Sequence, residues 1–315
     1  MNTLQTLSLD DCQIVGRGVN RPEDVVVTRE GEVWLSDKNS ACARLNANGS
    51  LERIGKADGA PNGINIDRDG RIVIANFGGP EDGFGPLQRL EPDSGDVEIL
   101  VSSINGKKLW GANYPVIDSK NRIWCTHSTF GPLDEAFKGL NDGMVLRHDP
   151  DGSTHVVAEN IAFANGAALN AAEDRLYVCE TTGCDVLEFP ILQDGVLGEP
   201  RRYGPKLGFD NHEVEHLRPL DLETRSQLGL TDGCGFDQAG NLWVTLVLAN
   251  KIIAITPQEE VVTVLSDPQG KLMRNPTNVS WGGTDLCDLY IGSVSCDYVL
   301  KIKSPIPGMP LIHQQ

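Results

Sequence analysis

Six times along this chain a polar residue is followed by a short apolar run, a polar turn and a second apolar run. The copies open at Glu23 (EDVVVTREGEVWLSD), Asn62 (NGINIDRDGRIVIAN), Asn113 (NYPVIDSKNRIWCTH), Asn165 (NGAALNAAEDRLYVCE), Asp232 (DGCGFDQAGNLWVTL) and Asn278 (NVSWGGTDLCDLYIGS). Each reads as a tight β-hairpin, with Gly31, Gly70 and Gly240 in turns where a positive φ is often needed. From opener to return strand the step is 11 or 12 residues, ending at Trp34, Val73, Trp124, Tyr177, Trp243 and Tyr290. Aromatic residues at one fixed structural position are expected to pack between layers.

Successive openers lie 39, 51, 52, 67 and 46 residues apart, about the length of a four-stranded propeller blade. Helical patterns of any length are absent, and 34 glycines and 18 prolines punctuate many short strands. The pattern predicts an all-β, six-bladed β-propeller as a single domain over residues 1–315. Residues 1–20 are expected to close the ring by pairing with the last blade near Tyr298–Lys303. The tail 304–315, with three prolines, is expected on the surface or partly loose.

A net charge of −17 argues against nucleic acid or an anionic membrane as partner and is compatible with binding a cation. The N-terminus shows no signal-peptide pattern, and no stretch reaches transmembrane length. The eight cysteines form no C-x-x-C pair and read as small buried hydrophobes of a cytoplasmic protein, monomeric or weakly homo-oligomeric.

In a propeller each opener precedes an innermost strand, so all six should ring one end of the central channel. Polar residues around a narrow axis stay unsatisfied unless they grip water, a ligand or a metal. Two carboxylates and four amides form an all-oxygen set suited to a hard divalent cation, Ca²⁺ first, with Zn²⁺, Mg²⁺ and Mn²⁺ left open. Zinc is less favoured because no His or Cys stands at an opening position. The residues that end each return strand, Asp37, Asn76, His127, Glu180, Leu246 and Ser293, should reach the same rim. Asp37, Asn76 and Ser293 are expected to cap strand ends, whereas His127 and Glu180 are candidates for substrate contact.

The openers and their contexts resemble the SMP-30/gluconolactonase/LRE-like family of six-bladed, metal-dependent lactonases and esterases over about residues 21–303. Arg-Pro-Glu23-Asp-Val-Val resembles the family's first-blade E-x-P-x-W metal motif, without its Pro and Trp. Phe163-Ala-Asn165-Gly with Leu176-Tyr-Val resembles the metal-binding N-G segment, and Thr231-Asp232-Gly with Gly240-Asn-Leu-Trp-Val the P-D-G segment. The resemblance implies Glu23, Asn165 and Asp232 as ligands of one divalent metal ion, and Asn113 on the substrate side. Sugar-lactone members commonly carry R-x-N-D-G at the third blade, where this chain has Gly111-Ala-Asn113-Tyr-Pro. A less polar lactone or ester is therefore expected rather than an aldonolactone, lined by Trp110, Tyr114, Asn62, Asn113, His127 and Glu180. Metal-assisted acyl hydrolysis follows, with Asp232 as general base and Glu23 as the alternative. The segment around Glu180 also resembles strictosidine-synthase-like propellers. The competing reading is a propeller of that type, or a non-catalytic one, binding a small molecule.

His212-Glu-Val-Glu-His216 matches H-E-x-x-H literally, yet sits between blades with Pro205 before it and Pro219 after it, so a protease helix is not expected. No G-x-S-x-G occurs, which argues against a serine hydrolase of the α/β class.

Overall fold

The computed structural model describes residues 4–78, 84–209 and 220–315. Six four-stranded antiparallel sheets follow the hairpin repeats. Their innermost strands are Val25–Val27, Pro61–Ile66, Ala112–Ile117, Ala164–Leu169, Thr231–Phe236 and Pro276–Gly282. Five sheets take their four strands in chain order. The sixth takes Gln13–Val15 as its outermost strand, against Val299–Lys303 in the register Gln13↔Lys301 to Val15↔Val299. The ring is thus a six-bladed propeller closed by strands from the two ends of the chain, as the sequence predicts.

The return-strand aromatics occupy one position. Trp34, Val73, Trp124, Tyr177, Trp243 and Tyr290 pair with Val26, Asn65, Val116, Ala168, Gly235 and Ser280. Each Trp lies in the core between two blades: Trp124 with Ala167 and Leu176, Trp34 with Ile64 and Ile72, Trp243 edge-on to Trp281 at 5.3 Å. Burying such a side chain is worth about 2–3 kcal/mol, so the aromatics supply much of the adhesion between blades.

The turns are fixed by an aspartate. Asp67, Asp118 and Asp237 each accept two backbone N–H bonds across their own turn, and the fourth turn position has positive φ at Gly70, Asn121 and Gly240. Asp118 and Asp237 also take the indole N–H of Trp124 and Trp243, at 3.0 and 2.9 Å. Asp237→Ala should therefore destabilise the protein by about 3 kcal/mol, because it leaves a buried indole and two turn amides unpaired. Urea unfolding of the variant measures this.

The C-terminal segment departs from expectation. Rather than lying loose, it docks across the far end of the channel, with Ile306, Ile312 and Gln314 buried. The Gln314 amide donates to the carbonyls of Val27 and Trp281 at 2.6 and 2.7 Å, and Met309 N–H to Phe236 O at 2.9 Å. Three prolines shorten the list of backbone donors without preventing side-chain anchorage. No described helix is long and apolar enough to cross a membrane. No disulfide joins the eight cysteines, five of which are buried.

Candidate functional site

Five of the six openers stand where the innermost strand is irregular, and Glu23 lies just before the regular strand Val25–Val27. Register shifts fall between Pro61 and Ile64, Ala112 and Pro115, Ala164 and Ala167, Thr231 and Cys234, and Pro276 and Val279. A bulge re-aims side chains that strict alternation would send to the sheet faces. Hydroxyls on the return strands satisfy the bulged amides: Thr126 takes Tyr114 N–H, Thr245 takes Gly233 N–H, and Ser36 takes Asp24 N–H in the first blade.

The bulges create two tiers. The upper tier holds Glu23, Asn62, Asn113, Asn165, Asp232 and, in the sixth blade, Thr277. Asn278, expected among the openers, belongs one step deeper: Ser280 pairs with Tyr290 where Gly235 pairs with Trp243, which aligns Thr277 with Asp232. The lower tier is Asp24, Gly63, Tyr114, Gly166, Gly233 and Asn278. Side-chain bonds to backbone carbonyls stitch the upper tier from blade to blade. Asn62 donates to Asn113 O, Thr126 to Asn165 O, Thr181 to Thr231 O, Thr245 to Thr277 O and Thr277 to Glu23 O.

Glu23 and Asp232 stand at the same level of the ring, and the charge of Glu23 acts on Asp232. Burial raises the Glu23 pKa to about 7, against the lowering effects of Arg21 and a hydrogen bond from Asn62. Asp232 is held well above the usual carboxylate range by burial and then by the charge of Glu23, with Arg21 and Asn165 opposing. The two groups thus share one electrostatic site, together with the amide of Asn165. Asn165 and Asn113 each donate their amide N–H to a hydroxyl, Thr181 at 3.0 Å and Ser128 at 2.9 Å. That orientation leaves Asn113 Oδ1 buried and unpartnered. Two buried carboxylates, amide oxygens and an orphaned amide oxygen are the donor chemistry of a hard divalent cation, so the residues present fit the group. Among the described residues no three His, Cys, Asp or Glu side chains come together as a metal site, so a cation here would depend on amide oxygens as well as the two carboxylates.

Asp24 was not singled out from sequence. Its carboxylate lies beneath the ring, accepting from Ile64 N–H at 2.6 Å, Val25 N–H at 2.7 Å and the Asn278 amide. Burial raises its pKa to about 8. The signal was present, since the aligned position is Gly63, Gly166 and Gly233 in other copies. A charged residue in a glycine column marks an unusual site.

Other expected site residues stand elsewhere. His127 is fully buried, packs tilted against the Phe130 ring at 4.2 Å, and accepts the amides of Trp110 and Gly111 at 3.2 Å through Nε2. Burial lowers its pKa to about 3. As a neutral ring it holds the Trp110–Gly111 amides at the approach to the third blade. Trp110 is engaged through its backbone in the same contact. Glu180 turns to the Ala162 amide at 2.8 Å and lies beside Asp185, one strand out from the ring. Burial and Asp185 raise its pKa to about 7. Tyr114 sits in the lower tier and receives Asn278 Nδ2–H at 3.1 Å, from the opposite side of the channel. Asp37 and Asn76 cap loops, accepting Asn20 N–H and Ala60 N–H. The H-E-x-x-H segment, His212–His216, lies outside the described residues.

On the rim, Phe163 contacts Phe77 at 6.4 Å and stacks on Phe137 at 5.3 Å, giving the entrance an aromatic flank. An apolar cavity of about 190 Å³ lies at the other end of the channel, between Tyr114, Phe236, Trp281 and the docked C-terminal segment.

The architecture and the acid–amide ring define a six-bladed propeller with one polar mouth. The chain belongs to the SMP-30/gluconolactonase/LRE-like family, whose described region matches residues 79–295. The first blade with Glu23 lies outside that match. A lactonase, drp35 of Staphylococcus saprophyticus, is 26% identical over 258 residues, covering 79% of this chain and 71% of the relative. Strictosidine synthase-like 13 of Arabidopsis thaliana is 28% identical over 216 residues, covering 66% of this chain but 45% of that protein. A gluconolactonase structure from Xanthomonas campestris superposes with a TM-score of 0.69 at 20% identity, covering 95% of this chain and 91% of that one.

Proposed function

We propose that the protein is a metal-dependent hydrolase that opens a lactone or related ester at the ring of Glu23, Asn165 and Asp232. The observation that carries this reading is the charge interaction of two buried carboxylates at one level of the ring, with Asn113 Oδ1 left unpartnered. The family and the lactonase relative support the same reaction class. A strictosidine-synthase-like binding protein is the competing reading, and the two interacting carboxylates favour the hydrolase.

Glu23, Asn165 and Asp232 would hold the cation. When bound, a divalent cation supplies Lewis acidity toward an acyl oxygen and makes nearby water more acidic. Asp232 is the base that accepts the proton of the attacking water, with Glu23 as the alternative. Water oxygen bonds to the acyl carbon, the ring C–O bond breaks, and the alkoxide recovers the proton from Asp232. Asn113, pinned by Ser128, presents a fixed acceptor oxygen to a substrate hydroxyl or to the metal. The aromatic flank and Gly111, where sugar-lactone members carry an arginine two residues before the third-blade Asn, fit a substrate with a larger apolar part than an aldonolactone. A panel of lactones assayed by acid release, with and without chelator, tests the activity. No turnover of any lactone, with no effect of divalent metal on melting, would remove the proposal.

A pH dependence follows. Glu23 and Asp24 have folded pKa values raised to about 7 and about 8 from 4.5 and 3.8, so the metal-free fold binds protons more tightly than the unfolded chain. Their contribution to stability is full below the unfolded values and is lost as pH rises through the folded ones. A cation held by Glu23 must displace the Glu23 proton, so its stabilising effect should grow as pH rises through about 7. Melting with Ca²⁺ or chelator between about pH 5 and 9 should show the two curves diverging, reaching about 3 kcal/mol at a hundredfold excess over Kd.

A further inference from the structure

The guanidinium of Arg21 stands at the mouth of the ring, and the reaction above gives it no task. Arg21 adopts φ 57°, a left-handed conformation that a residue with a Cβ adopts only under constraint. The tight turn it makes, with Glu23 N–H donating to Arg21 O at 2.8 Å, leaves its side chain reaching across to the second blade. There Nη2 donates to Asn62 Oδ1 at 2.8 Å and Nη1 to Pro61 O at 3.3 Å. Those contacts use two of its five N–H groups. The neighbours it rests on, Pro22, Glu23, Pro61 and Asn62, are buried, while Arg21 itself is partly exposed. Its charge reaches both Glu23 and Asp232, yet it forms no ion pair with a carboxylate among the described residues.

We propose that Arg21 is the specificity anchor of this site and that the substrate is a lactone or ester carrying a carboxylate. The carboxylate would take the remaining N–H groups of Arg21. The acyl group would lie over Glu23, Asn165 and Asp232, and the apolar part against Phe77 and Phe163. A divalent cation offsets Glu23 and Asp232, and Arg21 places a guanidinium at the mouth beside them, bonded only to neutral acceptors. A guanidinium presents its donors in a rigid fork that matches a carboxylate. Gly111 and Tyr114 bring no charge to the third blade, so the anion is recognised from the first. This inference rests on the hydrolase reading.

The test compares a γ-butyrolactone bearing a ring carboxylate with its carboxamide, on Ca²⁺-saturated wild type, Arg21→Gln and Arg21→Lys. Wild type should prefer the carboxylate by about 10- to 100-fold in kcat/KM. Arg21→Gln should erase that preference through KM with kcat little changed, and Arg21→Lys should keep part of it. Equal loss on both substrates, or no preference in wild type, overturns the anchor. Calorimetry with the ring-opened hydroxy-dicarboxylate gives a readout independent of turnover. Binding weakened about 10-fold or more in Arg21→Gln supports the anchor even if neither lactone is opened, in which case the hydrolase reading alone fails. Unchanged binding overturns the anchor. Arg21→Lys keeps the test open should Arg21→Gln fold poorly.

Discussion

Glu23→Gln and Asp232→Asn should each reduce metal-dependent turnover by about 10²- to 10⁴-fold, the range expected when a group that handles the proton is lost. The same variants should melt higher than the wild type in chelator as pH rises above about 7, where the wild type has to ionise its buried carboxylates. Each removes one of two carboxylates that repel each other in a buried site. They should also lose the increment that Ca²⁺ gives the wild type. Stability and activity therefore move in opposite directions, a signature that a merely structural carboxylate would not produce. Full activity in either variant would reassign the ring.

Gly166→Ala should have the second large effect. A Cβ at Gly166 would come within 2.5 Å of Gly233 Cα and 2.6 Å of Asp232 O, both backbone atoms of the next blade. Neither can rotate away, so the fourth and fifth blades must part at the point where Asn165 and Asp232 face the channel. A loss of about 3 kcal/mol in urea unfolding is expected, together with loss of Ca²⁺ binding by calorimetry. Gly70→Ala is the control. Its Cβ meets nothing within 4 Å, leaving only the positive φ of 81°, worth about 1–2 kcal/mol, and cation binding should persist. Equal damage from both substitutions would mean that close packing between openers does not shape the site.

The hairpin repeat exposed the blade number, the return-strand aromatics and the closing strand because these follow from alternation and turn chemistry, which are local. That Glu23 and Asp232 stand at one level of the ring was legible for the same reason. Depth within the channel was not. It is set by the bulges, whose only mark in the sequence is the glycine after three of the openers, at Gly63, Gly166 and Gly233. Tyr114 therefore looked like an entrance residue although the bulge sends it below the ring. Asn278 was placed one residue too far along, because the sixth hairpin steps ten positions from Ser280 to Tyr290 where the fifth steps eight from Gly235 to Trp243. His127 fell at the right height, but side-chain direction depends on the Trp110–Gly111 amides of a loop. Arg21 carried no signal beyond preceding Glu23, since its position follows from a single positive φ.

The bond between Tyr114 and Asn278 joins the third and sixth blades across the axis, directly below the ring. With that crossbar in place and the C-terminal segment seated underneath, the tunnel becomes a well. Whatever descends to the acidic ring must climb out the way it came, so a spent molecule and its successor contend for one doorway.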